Sequence, residues 1–213
     1  MLSVGVLASG AGSNLGALIE AISRGDVAAK VATVVCNVPG AGALARARAA
    51  GLRAVCIPHD AYADREAFEA EVQAELDASG VELVVLAGFM RLLSSSFVRR
   101  WHGRLLNVHP SLLPAFPGYA ATRQALDAGV RITGCTVHLV DEGTDTGPVI
   151  AQAAVPILQE DTEESLHARI RAQEHRLLPR VVALFADKRV RLQGRRVHLD
   201  LPPGDPARVL VSP

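Results

Sequence analysis

Lysine is nearly absent from this chain of 213 residues: of 22 basic side chains, only Lys30 and Lys188 are lysines. That scarcity reads as compositional bias and carries no functional message. The 22 basic residues are matched by 22 acidic ones, so the one-signed field that draws a protein to nucleic acid or a membrane surface is missing. Aromatic residues are 4% of the chain with one tryptophan, which leaves little surface on which bases could stack. Cysteine is scarce too. Cys36, Cys56 and Cys135 are odd in number, far apart, each within an apolar run, and never spaced C-x-x-C. Neither a disulfide framework nor a thiolate zinc site is therefore suggested, and reduced buried thiols in a cytosolic protein are expected. No apolar stretch approaches the ~20 residues of a membrane span. The chain opens on a strand-like run, Met1 to Leu7, without a basic leader region, so no targeting segment is expected. Its seven histidines include no H-E-x-x-H and no pair at ligand spacing, and no metal is expected.

What is present is an ordinary core. Hydrophobic residues make up 49% and charged ones 21%, enough to bury one domain spanning residues 1–213. Short apolar runs alternate with helical patterns, which predicts an α/β fold: a Rossmann-like, mostly parallel twisted sheet with flanking helices. Strands are expected at 4–8, 31–36, 54–57, 83–86 and 105–108, and helices at 14–23, 41–50 and 64–78. In the last helix Phe68, Val72 and Leu76 recur every four residues as one buried stripe. Beyond about residue 130 two longer strands, 132–140 and 148–157, are joined by Asp141-Glu142-Gly143-Thr144-Asp145-Thr146-Gly147. That link is too short for a parallel crossover, so the C-terminal part should contain antiparallel strands. Asp161 and Glu164 resemble a capping box opening a helix to about 186, with Leu166, Ile170, Leu177, Val181 and Leu184 inward. A short hairpin from Lys188 and a poorly ordered end containing Pro202-Pro203 complete the expectation. The basic stretch from Lys188 to Arg196 reads as a solvated hairpin.

Two segments carry chemistry. Ala8-Ser9-Gly10-Ala11-Gly12-Ser13-Asn14 joins the first strand to the first helix. Glycines let backbone N–H groups approach an anion, the helix N-terminus adds its positive end, and Ser13 and Asn14 offer donors and a helix cap. Such turns also serve packing alone. Gly10-x-Gly12-x-x-x-Gly16 resembles a dinucleotide fingerprint, but the second strand ends in Cys36-Asn37-Val38 without a charged residue for the ribose. A mononucleotide phosphate fits better. The second segment is Asn107-Val108-His109-Pro110-Ser111-Leu112-Leu113-Pro114. Strand alternation puts Asn107 and His109 on one face at a strand's C-terminal end. An amide donor for a developing oxyanion beside an imidazole that handles a proton suits acyl transfer. His138, beside Thr136 on a later strand, is either structural or part of the same site.

Gly12-Ser13-Asn14, Leu86-Ala87-Gly88-Phe89-Met90-Arg91, the Asn107–Pro114 segment and Asp141-x-x-x-Asp145-x-Gly147-Pro148 occur in this order. Together they resemble the glycinamide ribonucleotide formyltransferase family of purine synthesis, from the first strand through Gln173-Glu174-His175. The resemblance implies Asn107, His109 and Asp145 as catalytic, with Asp145 keeping the imidazole charged. It implies Gly12, Ser13 and Asn14 at a phosphate, and Arg171, Gln173 and Glu174 at a ribose. Folate would be lined by Arg65, Met90, Arg91, Leu92, Leu93, Asn107 and the run Asp141, Glu142, Gly143, Thr144, Asp145. In bland terms Met90, Leu92 and Leu93 are core and Arg65 a solvated helix residue. The co-substrate implied is 10-formyltetrahydrofolate, without a metal. The partners are small molecules, not nucleic acid or membrane, and the chain is a monomer or homodimer. Residues about 1–100 would form a phosphate-binding half, and about 101–200 a folate-binding and catalytic half. From length alone, neither the extra tRNA domain nor the regulatory domain of related families is expected. The family commonly has histidines after its Pro-Gly pair; here Pro117-Gly118 is followed by Tyr119-Ala120-Ala121-Thr122. Two alternatives stay open: a different amine acceptor such as an amino-sugar nucleotide, and a non-catalytic nucleotide-binding module.

Overall fold

Burial along the first strand shows how the layers arise. In β1 (Leu2–Ala8), Val4, Val6 and Ala8 pack into one apolar cluster and Leu7 into another, all fully buried. A strand covered on both faces belongs to a sheet with helices on each side. The computed structural model describes residues 1–201 and has that architecture. After β1 come α1 (Ser13–Ser23), β2 (Ala29–Cys36), α2 (Gly42–Ala49), β3 (Ala54–Cys56), α3 (Arg65–Ala78), β4 (Leu83–Leu86), α4 (Ser95–Arg100) and β5 (Leu105–His109). Then follow α5 (Ala121–Asp127), β6 (Ile132–Leu139), β7 (Val149–Pro156), α6 (Glu163–Ala186), β8 (Val190–Gln193) and β9 (Arg196–Leu199).

Seven strands form one sheet in the order β3-β2-β1-β4-β5-β6-β7. β1 to β5 run parallel, β6 is antiparallel to β5, and β7 to β6. The mostly parallel sheet with an antiparallel C-terminal pair is the architecture expected from the sequence. β8 and β9 make a separate two-stranded hairpin. One face of the sheet is covered by α1, α2 and α6; the expected inner face of α6 (Leu166, Ile170, Leu177, Val181, Leu184) is buried there or beneath the hairpin. The other face is covered by α3 and α4, with the Phe68, Val72 and Leu76 stripe at its centre. Burying such a side chain contributes ~1.5–3 kcal/mol. A Cβ on Gly5 would lie 2.6 Å from Leu76 Cδ2, so glycine in β1 lets α3 approach closely.

Strand order reverses between β1 and β4. In open α/β sheets the crevice outside the carboxyl ends at this reversal is where ligands sit. Here it lies between the glycine loop after β1 and residues 87–94 after β4. Ser9 joins the two: its N–H donates to the Gly88 carbonyl (3.0 Å) and its Oγ accepts from Met90 N–H (2.8 Å).

Several local expectations differ. The cap of α6 is Thr162, which exchanges hydrogen bonds with Ser165, and not the Asp161–Glu164 pair. Asp161 lies one residue too early and accepts instead from Arg169. The cap of α1 is Gly12, with no side-chain hydrogen bond, so neither Ser13 nor Asn14 caps it. The helices α4 and α5 were not anticipated, being six and seven residues long and too short for a periodicity to show. Cys36 and Cys135 are buried free thiols, whereas Cys56 is half-buried. The expected disordered end containing Pro202-Pro203 lies outside the described residues. Among the described residues no helix is long and apolar enough to cross a membrane.

Candidate active site

β5 ends in Leu105-Leu106-Asn107-Val108-His109. Its leucines are fully buried and its polar pair lies on the alternate positions. The antiparallel neighbour β6 sets His138 opposite Asn107, and Thr136 opposite His109. Asp145 arrives from the loop between β6 and β7, in a left-handed conformation (φ 54°) that Asp tolerates better than most residues.

These elements bring together four polar side chains. His109 is 5% exposed. Its Nδ1 lies 3.3 Å from Asp145 Oδ2, and its Nε2 lies 2.8 Å from the Phe116 carbonyl. Both ring nitrogens thus face oxygen acceptors. Asn107 Nδ2 donates to Asp145 Oδ1 at 3.2 Å and lies 3.2 Å from His138 Nε2. His138 directs Nδ1 at the Leu139 carbonyl (2.9 Å) and sets Nε2 3.6 Å from Asp145 Oδ1. Burial pushes the Asp145 carboxyl up, but nearby His138, the Gly118 N–H and His109 outweigh it and hold its pKa below the ordinary value. At neutral pH the carboxylate is therefore charged.

The strand after His109 turns sharply and is held by a side-chain scaffold. Thr136 Oγ1 donates to the Ser111 carbonyl (2.7 Å) and accepts from Leu113 N–H (3.1 Å), while Gln152 Nε2 donates to the Leu113 carbonyl (2.9 Å). This brings Phe116 and Gly118 back onto the site, where Gly118 N–H donates to Asp145 Oδ2 at 2.8 Å.

The other predicted positions fall into two groups. Gly12 adopts φ 73°, and a Cβ there would lie 2.8 Å from Ala43 Cα, so α2 packs against the loop only because glycine occupies the position. Asn14 sits in the first turn of α1 and donates through Nδ2 to Glu174 Oε2 (2.9 Å) on α6, while its buried Oδ1 has no partner. Ser13, Arg171 and Gln173 are half-buried. In the second group Met90 and Leu92 are 67% and 65% exposed, so they are not core residues; Arg91 is exposed and Leu93 half-buried. This segment is pinned at one end by Ser9 and at the other by Glu69, which accepts from Ser94 N–H (2.7 Å). Asp141 is half-buried, while Glu142, Gly143 and Thr144 are exposed. Arg65 is exposed in the first turn of α3, and no hydrogen bond or ion pair among the described residues joins it to the cluster. Sequence reasoning missed Ser9, Glu69 and Phe116. Phe116 acts through its backbone and left no side-chain signal, whereas Ser9 and Glu69 work only across contacts distant in sequence. Among the described residues no group of three His, Cys, Asp or Glu side chains could hold a metal ion.

Comparison with known proteins agrees with this geometry. Residues 2–182 match the family described as formyl transferase. The trifunctional purine biosynthetic protein adenosine-3 of Drosophila melanogaster is 52% identical over 86% of this chain, which spans only 14% of that protein's length. The phosphoribosylglycinamide formyltransferase of Escherichia coli (strain K12) is 43% identical over 95% of this chain and 97% of its own. The crystal structure of glycinamide ribonucleotide transformylase 1 from Symbiobacterium toebii superposes with a TM-score of 0.92, at 48% identity over 93% of this chain and 94% of that one.

Proposed function

This chain belongs to the formyl transferase family, and from that premise we propose that it transfers a formyl group from 10-formyltetrahydrofolate to the amine of 5'-phosphoribosylglycinamide, a step of purine (IMP) biosynthesis in the cytoplasm. The observation that carries the reading is the convergence of Asn107, His109 and Asp145 at the end of β5. The folate, when bound, supplies the activated formyl carbon. As the substrate amine bonds to that carbon, negative charge develops on the formyl oxygen. Asn107 turns an amide hydrogen toward this oxygen, and His109 presents Nε2, exchanging the Phe116 carbonyl for it. Asp145 holds the imidazole by its Nδ1 and balances the charge on the ring. The bond to the folate nitrogen then breaks, and one proton passes from the amine to that nitrogen, through His109 or water.

Gly12, Ser13 and Asn14, with the positive end of α1, receive the phosphate. Arg171, Gln173 and Glu174 face the ribose, and the partnerless Oδ1 of buried Asn14 suits a hydroxyl donor there. Arg65, Met90, Arg91, Leu92, Leu93, Asn107 and residues 141–145 hold the folate. Exposed Met90 and Leu92 give a flat ring an apolar surface beside the catalytic strand. Residues about 1–100 thus provide the phosphate site, and about 101–200 most of the catalytic and folate site. The deciding experiment compares formyl transfer from one folate donor to glycinamide ribonucleotide, an amino-sugar nucleotide and simple amines. Preference for glycinamide ribonucleotide is expected. Preference for another amine overturns the acceptor, and no transfer to any amine overturns the reaction.

A further inference from the structure

We propose that Arg195, in the turn of the C-terminal hairpin, is a positioning residue that straps the 141–147 loop into the shape its role at the site requires. The inference rests on the reading of residues 141–145 as part of the folate pocket.

The hairpin of β8 and β9 closes at the Gln193–Arg196 pair, leaving Gly194 (φ 58°) and Arg195 as the turn. From this turn the Arg195 side chain reaches the loop after β6. Arg195 Nη2 donates to the Thr146 carbonyl, and Nη1 lies 3.5 Å from Asp141 Oδ2. The other oxygen of Asp141 accepts from Gly143 N–H (3.1 Å) and from Thr146 Oγ1 (2.6 Å). One carboxylate therefore ties the two ends of the loop together, and one guanidinium ties that knot to the hairpin.

Inside this loop Asp145 holds its left-handed backbone and points at His109 and Gly118. The far end of the loop is fixed by packing: a Cβ on Gly147 would lie 1.8 Å from the Leu139 carbonyl oxygen, so only glycine allows that approach to β6. The loop thus has an inner anchor at Gly147 and an outer anchor at Arg195. Arg195 is 73% exposed and Asp141 30%. An ion pair so open to water adds little to global stability, which makes loop order, not folding, its effect. The basic stretch from Lys188 to Arg196 accordingly has a purpose at its turn that a merely solvated hairpin would not have.

The full chain carrying Arg195→Ala or Arg195→Lys tests this through two readouts. Hydrogen–deuterium exchange should quicken at residues 141–147 in Arg195→Ala and stay unchanged in β1 to β5. The KM for 10-formyltetrahydrofolate should rise about three- to ten-fold, as for the loss of one charge-assisted contact, and the ribonucleotide KM should stay within about two-fold. Arg195→Lys should recover part of both effects, since an ammonium can still reach Asp141 but lacks the fork that also serves Thr146. Unchanged exchange in the loop overturns the strap, as does an equal rise in both KM values. Faster exchange with an unchanged folate KM overturns instead the assignment of the loop to the folate pocket.

Discussion

At the scale of single residues, the site is one carboxylate shared among four partners. Asp145 faces Asn107 and His138 with one oxygen, and His109 and Gly118 N–H with the other. Removing its charge while keeping its shape isolates the electrostatic part. Asp145→Asn preserves the acceptor oxygen and tolerates the left-handed backbone, where Asn is also favoured. Turnover should fall by ~10²–10³, with unfolding unchanged to within about 1 kcal/mol. His109→Ala should lose ~10²–10⁴. Steady-state rates on the folded variants check both, and near-normal turnover in either sinks the proton-handling role. The depressed carboxyl also fixes the acid side of the pH profile. The charged form of Asp145 is present above its folded pKa and disappears as pH falls through it, so this group's acid limb should lie below the ordinary carboxylate value. Asn107 and His109 were legible in the sequence because strand alternation alone places them together. His138 was only half legible: its strand was clear, but its register opposite Asn107 depends on how β6 pairs with β5.

At the scale of elements, α3 shows how a helix is fastened by more than its apolar stripe. Glu75 on its buried side accepts from Arg53 Nε (2.7 Å) and Nη2 (2.8 Å), from Thr33 Oγ1 (2.7 Å) on β2, and from Ser79 (3.0 Å). The Arg53 hydrogen bond is the largest influence holding its carboxyl down at about 2, against the cost of burial. Arg53 is 61% exposed, so water screens part of its charge, while the bond from Thr33 is buried. A depressed carboxylate stabilises the fold fully above its unfolded value of about 4.5 and loses that contribution as pH falls toward about 2. Glu75→Gln should therefore cost ~1.5–3 kcal/mol at pH 7. Urea unfolding from pH 7 to pH 3 should show the gap to wild type narrowing as pH drops; a constant gap would mean that the charge contributes nothing. The sequence revealed the stripe on this helix through its period of four, but not Glu75. A buried carboxylate and a solvated one look alike until Arg53 and Thr33 are brought near by the fold.

At the scale of the whole molecule, the sheet order sets where the two proposed substrates would meet. The reversal between β1 and β4 opens a crevice, and β5 lies beside β4. β6, which leads into the 141–145 loop, lies on the other side of β5. On the proposed assignment the α1 N-terminus and Glu174 hold the ribonucleotide, and residues 90–93 and 141–145 the folate. Parallel order was legible from the alternation of apolar runs and helices, because a right-handed crossover leaves few alternatives. The turn after His109 was not, since the Thr136 and Gln152 bonds that hold Ser111 and Leu113 join segments distant in sequence. On this proposed division the two pockets are separable by mutation. Met90 is 67% exposed, so Met90→Trp adds bulk at the pocket mouth without overpacking the core, and should weaken folate while leaving the ribonucleotide unaffected. Glu174 is buried and bonded to Asn14 (2.9 Å), so Glu174→Ala should weaken the ribonucleotide by ~1–3 kcal/mol and spare the folate. Glu174→Gln, which keeps an acceptor toward Asn14, should fall between. Calorimetric titration of each variant with each ligand decides the matter. Loss of ribonucleotide binding in Met90→Trp with normal folate binding would show that the two pockets have been assigned the wrong way round, even with formyl transfer intact.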